Sequence, residues 1–283
     1  MTMNDQTPAT GERDPFEGLE DEAAPDAAYT RETLLRAAKR GYVRIRRDFV
    51  QREERPRASV LADLVTGRKE RALDLLLTIH ALQPILDGEA LPIQTWALLL
   101  GDGVKPRVAN AALKTLQEMN LLEISGKRGM PMITLKRENG DGEPWTNAPP
   151  SDPAARGRGF FALPFEYWTD GTIDKLSLPG KAMLLVILRD TQDPNGARSF
   201  VMAHERAQEF YGFSERTAER GYYELRRQNL MVEHRRLVRA PKHPLGQREE
   251  WHRALVNPYS TDNREALRVA AAAAAKAAGG DAT

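Results

Sequence analysis

The sequence predicts a mainly α-helical chain with small β-hairpins, an α+β fold in which one unit occurs twice in tandem. Three observations carry this expectation. First, VKPRVANAALKTLQEMNLLE aligns without gaps on FSERTAERGYYELRRQNLMV, placing Arg107 on Arg216, Leu116 on Leu225, Asn120 on Asn229 and Leu121 on Leu230. A repeat of this length describes a structural unit rather than a single element. Second, Ala109, Leu113 and Leu116 in one copy, and Ala218, Tyr222 and Leu225 in the other, stand at i, i+4 and i+7, one face of a helix. Third, each copy runs on into a hairpin pattern: LLEIS, GKRG and MPMITL in the first; LMVEHRRLV, a Pro-rich bend containing Gly, and EEWHRALV in the second.

The chain divides accordingly. Residues 1–28 are acidic, with Asp5, Glu12, Asp14, Glu17, Glu20, Asp21, Glu22 and Asp26 opposed only by Arg13, and they carry too few apolar side chains to pack. They read as a disordered tail. Residues 29–136 form the first domain, which opens on a basic arm holding Arg31, Arg36, Lys39, Arg40, Arg44, Arg46, Arg47, Arg52, Arg55 and Arg57. Such an arm tracks a nucleic-acid backbone, or is a solvated helix that pairs with the acidic tail, which would then compete with DNA for it.

Within this domain ERALDLLLTIHAL reads as a buried first helix and LPIQTWALLLG as a strand-led second helix stopping at Gly101. The third helix ends at Asn120, since Asn accepts the left-handed conformation that closes a helix. Residues 137–159, dense in Pro, Gly, Asn and Asp, read as a flexible linker. Residues 160–258 repeat the unit. GFFALPFEYW resembles the earlier GYVRIRRDFV, PGKAMLLVILRDT the buried first helix, and FVMAHERAQEFYG the second, stopping at Gly212; Asn229 ends the third. The match of Phe160, Phe161, Phe165, Tyr167 and Trp168 to Tyr42 and Phe49 makes these aromatics core residues rather than a platform for stacking bases. Residues 259–283 are Ala-rich and read as an appended helix with Gly279 as its cap.

Helix, short strand, helix, turn, helix and hairpin is the order of a winged helix, and the chain resembles the tandem winged-helix DNA-binding proteins. SERTAERGYYELRRQNL in particular is similar to the third helix and wing of bacterial winged-helix regulators. The resemblance spans about two thirds of the chain and departs from those families in having Asn, in both copies, where Gly usually precedes the last apolar pair. It implies two DNA-reading units in one chain, as in bacterial transcriptional regulators and two-winged-helix plasmid replication initiators.

If the third helix of each unit lies in a major groove, the residues opposite its apolar stripe face the bases. In the second copy these are Ser214, Arg216, Thr217, Arg220, Tyr223 and Arg227, with Arg235, Arg236, Arg239 and Lys242 continuing the positive charge onto the hairpin. Guanidinium groups read guanine bidentately and clamp phosphates. Glu215, Glu219 and Glu224 offer the alternative of an ordinary solvated face laced by i,i+4 ion pairs. In the first copy the corresponding set is Arg107, Asn110 and Lys114, beside Lys105, with Lys127 and Arg128 at a glycine-flanked hairpin tip. Asn110 is suited to adenine and the cations to phosphates; this domain reads equally well as a contact for a partner protein or a second copy.

The remaining composition is mostly exclusionary. There is no cysteine, hence no disulfide and no thiolate chemistry. Net charge is +1, so any argument for a polyanionic partner rests on where charges lie. Arginine outnumbers lysine about three to one, a bias that suits phosphate recognition and that a GC-rich genome also produces by codon usage. No phosphate loop, paired-His metal spacing or nucleophile elbow is present, so no enzyme activity, metal or cofactor is expected. His80, in an apolar helix, reads as a core residue; His234, His243 and His252 lie in the second hairpin without a carboxylate or thiolate companion that would make a metal site. The start lacks a signal pattern and no apolar run reaches the roughly 20 residues of a membrane span, which implies a soluble, cytoplasmic, nucleoid-associated protein. The expected function is sequence-specific binding of double-stranded DNA, as a transcriptional regulator or a plasmid or mobile-element replication initiator. The rival expectation is a tandem winged-helix adaptor of a chromosome or plasmid maintenance complex.

Overall fold

The computed structural model describes residues 23–52, 58–86, 88–146, 159–192 and 197–279. In chain order these form α1 (Ala27–Ala38), β1 (Tyr42–Arg46), α2 (Val60–Thr66), α3 (Glu70–Leu82), α4 (Ile93–Leu99), α5 (Pro106–Glu118), β2 (Leu122–Lys127), β3 (Met130–Leu135), β4 (Phe160–Pro164), α6 (Glu166–Thr169), α7 (Thr172–Lys175), α8 (Leu178–Asp190), α9 (Ala207–Tyr211), α10 (Glu215–Arg227), β5 (Met231–Arg239), β6 (Gln247–Leu255) and α11 (Thr261–Gly279). The chain is α-rich, and among the described residues the strands form two-stranded antiparallel sheets, which is the expected α+β class. Among the described residues no helix is long and apolar enough to cross a membrane.

The repeat has a structural counterpart. α3, α4, α5 and the hairpin β2–β3 are followed by α8, α9, α10 and the hairpin β5–β6 in the same order. The third helix of each set buries the stripe read from sequence: Ala109, Leu113 and Leu116 in α5, and Ala218, Tyr222 and Leu225 in α10. Both helices close through a left-handed Asn, with φ of 57° at Asn120 and 55° at Asn229, and the chain turns directly into β2 or β5. Where α10 crosses α8 the fit is close. A Cβ on Gly221 would lie 2.3 Å from Met183 Cγ and 2.5 Å from the Pro179 carbonyl oxygen, so glycine is what admits α8 at that spacing.

The two halves are joined along their lead-in segments. β1 pairs antiparallel with β4, Tyr42 opposite Pro164 and Arg46 opposite Phe160. Because equivalent segments run antiparallel, this small sheet relates the halves by a local two-fold. Buried contacts reinforce it. Lys181 on α8 meets Asp74 on α3 at 2.7 Å and Glu70 at 2.8 Å. The Trp168 indole donates to Thr78 Oγ1 at 3.0 Å. Gln51 Nε2 donates to the Phe210 carbonyl at 2.9 Å. Apolar side chains from both halves make one continuous core.

Four segments differ from the sequence expectation. Among the described residues no strand leads α4, where residues 91–92 are irregular, and ahead of α9 there is only an isolated bridge from Phe200 to Arg253. Arg31 and Arg46, read as part of a basic arm, are buried structural residues. Arg31 is ion-paired with Asp174 of α7 and donates to the Leu99 carbonyl, whereas Arg46 lies against Glu138 at 3.4 Å. Local charge cannot distinguish a solvated guanidinium from one whose partner is far along the chain. Residues 137–146, expected as the start of a linker, fold back instead: Lys136 bridges Pro144, Glu138 is fully buried, and Trp145 packs edge-on against His80 at 6.0 Å. Residues 147–158 of that linker, residues 1–22 of the acidic tail, and Arg55 and Arg57 lie outside the described residues. Asp26, at the end of the tail, caps α1 by accepting from the Tyr29 amide at 2.7 Å. Finally, the Ala-rich α11 is anchored by its first turn. Arg264 is fully buried and donates to the carbonyls of Tyr259, Leu188 and Thr191 and to Gln192 Oε1.

Candidate nucleic-acid interface

The outward face of α10 follows from its inward one. With Ala218, Gly221, Tyr222 and Leu225 turned to the core, Ser214, Arg216, Arg220, Tyr223 and Arg227 are exposed and Thr217 is half-buried beside them. Ser214 caps the helix, its Oγ accepting from the Thr217 amide at 3.3 Å. The remaining free amides of the first turn add partial positive charge to that end. Among the described residues Arg216 and Arg227 make no ion pair. Arg220 pairs with Glu224 at 3.0 Å, an exposed-to-half-buried contact that a phosphate could displace at small cost.

Glu224 is not simply a surface partner. It also accepts from the Ser177 amide at 3.0 Å and from Ser177 Oγ at 2.6 Å, so it caps the start of α8 and fixes the rotation of α10 about its axis. This positioning role was invisible in sequence, because Ser177 is distant and Glu224 looks like an i+4 partner for Arg220.

The hairpin β5–β6 pairs nine residues on each strand, from Met231 opposite Leu255 to Arg239 opposite Gln247. At about 3.3 Å per residue it is about 30 Å long. Its base is held to the body. Phe200 bridges Arg253, and Arg253 is buried, lying 3.9 Å above the Tyr222 ring, donating to Glu233 at 2.9 Å and to the Met202 carbonyl at 3.1 Å. Glu233 in turn accepts from Arg226 of α10 at 2.8 Å. Tyr222, Arg226, Glu233 and Arg253 thus fix the angle between helix and hairpin. None of the last three was selected from sequence; the nearest signal was the placement of an acid and a base directly across the strands.

Strand alternation sorts the expected hairpin cations. Arg235 and Arg239 share the face of Met231, Glu233, Arg253 and Leu255, which packs toward α10, and Trp251 and Leu237 lie exposed on that face with them. Arg236 stands on the opposite face with Val232, His234 and Val238, and Lys242 is at the tip. Arg235 is ion-paired with Glu249, whereas Arg236, Arg239 and Lys242 make no ion pair among the described residues. His234 and His252 face each other across the strands, with Ser199 Oγ 3.0 Å from His252 Nδ1. Among the described residues no group of three metal-ligating side chains occurs.

The first unit presents a smaller version. Arg107 and Asn110 are exposed on α5, and Lys105 is exposed just ahead of it; Lys114 is exposed and pairs with Glu118 at 3.7 Å. Lys127 and Arg128 are exposed at the tip of β2–β3, between Gly126 and Gly129, whose φ values of 91° and 82° only glycine adopts freely. This tip is tied down, since the Ile93 amide donates to the Gly129 carbonyl at 2.9 Å. The two hairpins therefore differ in kind, one short and fastened to α4, the other long and projecting.

No family model matches the chain, and neither a curated protein nor a solved structure matches it.

Proposed function

We propose that this protein binds double-stranded DNA through two winged-helix units, α10 entering a major groove and the wing β5–β6 following the adjacent backbone. The observation that carries the reading is the outward face of α10: Arg216, Arg220 and Arg227, with Ser214, Thr217 and Tyr223, at the base of a long hairpin whose Arg239 and Lys242 make no ion pair among the described residues. An Arg-rich helix face beside a cationic hairpin is the chemistry that reads guanine edges and neutralises phosphates.

The first unit, through Arg107, Asn110, Lys127 and Arg128, supplies a second and weaker contact. Because the halves form one body about a local two-fold, one chain presents two unlike reading heads without dimerising. In this reading the protein is not an enzyme; it is a transcriptional regulator or a plasmid replication initiator in the cytoplasm. Retention of the full chain on a fragment library of its own genomic neighbourhood tests the proposal. A site among short repeats at an origin assigns the initiator and a site in a promoter the regulator. No retention above random DNA at low salt leaves the tandem units as a protein-interaction adaptor.

A further inference from the structure

The tip of the hairpin β5–β6 holds a large apolar side chain out in solvent. Leu245 is 82 % exposed, and it sits in a turn that is held rather than loose. The Ala240 amide donates to the Gly246 carbonyl at 2.9 Å, His243 to Ala240 at 2.8 Å, and Gly246 to His243 at 2.8 Å. The Leu245 amide itself donates to His243 Nδ1 at 3.3 Å, and Pro241 and Pro244 fix two further φ angles. The turn thus holds the leucine at a defined position in solvent, where a partner that covers it would gain the free energy of removing that side chain from water.

The surroundings identify the occupant. Residues 239–248 contain Arg239, Lys242 and Arg248 and no Asp or Glu; Arg239 and Lys242 make no ion pair among the described residues, whereas Arg248 pairs with Glu250 of β6 at 2.6 Å. An apolar protein surface would have to desolvate those cations, whereas a DNA minor groove offers phosphates to the cations on either side and an apolar base stack at its floor. The minor groove is about 6 Å wide, too narrow for a two-stranded ribbon but open to one side chain from a turn.

We propose that Leu245 is an apolar wedge that enters the minor groove and partly unstacks one base step, bending the DNA around the wing. This deepens the DNA-binding reading and rests on it. The wedge needs Leu245 and its rigid turn, whereas affinity for the major groove needs α10.

The test uses the full chain and duplexes carrying its tightest sequence selected from a random library, with 2-aminopurine placed at successive steps and a donor–acceptor pair at the ends. The expected result is a rise in 2-aminopurine fluorescence confined to one step and a shortened end-to-end distance. Both signals are lost in Leu245→Ala, while Arg216→Ala weakens binding and leaves the signals intact at saturation. Leu245 is exposed, so its replacement leaves folding unaffected. If the chain binds a duplex and Leu245→Ala keeps both signals, or neither signal appears, the wedge is overturned and DNA binding stands. If Leu245→Ala instead changes the oligomeric state without DNA, the side chain covers a protein contact and the wedge is overturned. If no duplex is selected, the DNA-binding reading falls and the wedge with it.

Discussion

Lys181 on α8 and Asp74 on α3 meet at 2.7 Å, with their side chains 1 % and 0 % exposed, at the seam where the two repeats face each other. Burial pushes the Asp74 carboxyl up to about 6, against the opposing pull of Lys181. The pair is thus a registration device for the seam, favourable only while both partners are present. Lys181→Met is expected to destabilise the fold by about 3 to 5 kcal/mol, because it leaves a buried carboxylate with only the more distant Arg71, at 3.8 Å, to balance its charge, or forces it to take up a proton. Lys181→Met combined with Asp74→Leu is expected to recover most of the loss. Denaturant titration of the two single variants and the double variant checks this; equal losses in all three would contradict it.

Gly221 is set against Met183 and Pro179 more closely than any Cβ tolerates. Gly221→Ala is expected to cost about 1 to 3 kcal/mol through displacement of α10 from α8, despite the better helix propensity of alanine. The aligned position in α5 is Ala112, also buried, which shows that the first crossing has room for the methyl group. Ala112→Gly is expected to cost about 1 kcal/mol, the ordinary helix-propensity loss.

Asn120 and Asn229 hold the same left-handed turn in the two units. Replacing either by Ala is expected to cost about 1 to 2 kcal/mol, and by Gly close to nothing, since only the Cβ conflicts with that conformation. Thermal melts of the four variants read this directly, and an Ala cost matching the Gly cost would refute it.

His80 is buried, neither ring nitrogen has a hydrogen-bond partner among the described residues, and burial, reinforced by Arg46, pushes its pKa down to about 3. The folded state therefore holds it neutral, while the unfolded chain takes up a proton below the ordinary value of 6.5. Its contribution is present above pH 6.5 and is lost as pH falls toward 3, at about 1.4 kcal/mol per pH unit. Asp74, and Glu138 with its carboxyl pushed up to about 7 by burial, act in the opposite sense: they favour the folded state at low pH and lose that contribution as pH rises through about 6 and about 7. The His80→Leu variant isolates the histidine. Its stability relative to the parent chain is expected to rise steadily as pH falls from 6.5 to 4; a constant difference would contradict the assignment.

What the sequence made legible was whatever is encoded within one unit. The apolar stripes of α5 and α10, the Asn turns and the two hairpins depend on neighbours within a few residues, and the duplication supplied a second reading of each. The joining of the units was not legible. The pairing of β1 with β4 and the ion pairs of Lys181 with Asp74 and of Arg31 with Asp174 link residues more than a hundred positions apart, and no local pattern separates a buried Arg31 from an exposed Arg36. The same holds for the candidate interface. Period and charge located Arg216, Arg220 and Arg227, but the groups that fix their setting, Glu224 on Ser177 and Glu233 between Arg226 and Arg253, follow only from the packing of α10 against α8 and the hairpin.

The central claim, that the outward face of α10 reads DNA, is tested most directly by a salt titration of binding to the best-retained fragment, comparing the parent chain with Arg216→Ala/Arg220→Ala/Arg227→Ala. The account predicts that log K falls with log salt by about 0.9 per phosphate neutralised, and that the triple variant loses about 1 to 3 kcal/mol for each base-reading arginine and flattens the slope for each arginine that held a phosphate. A triple variant that binds the fragment as tightly as the parent chain, with the same slope, would show that α10 is not the reading head.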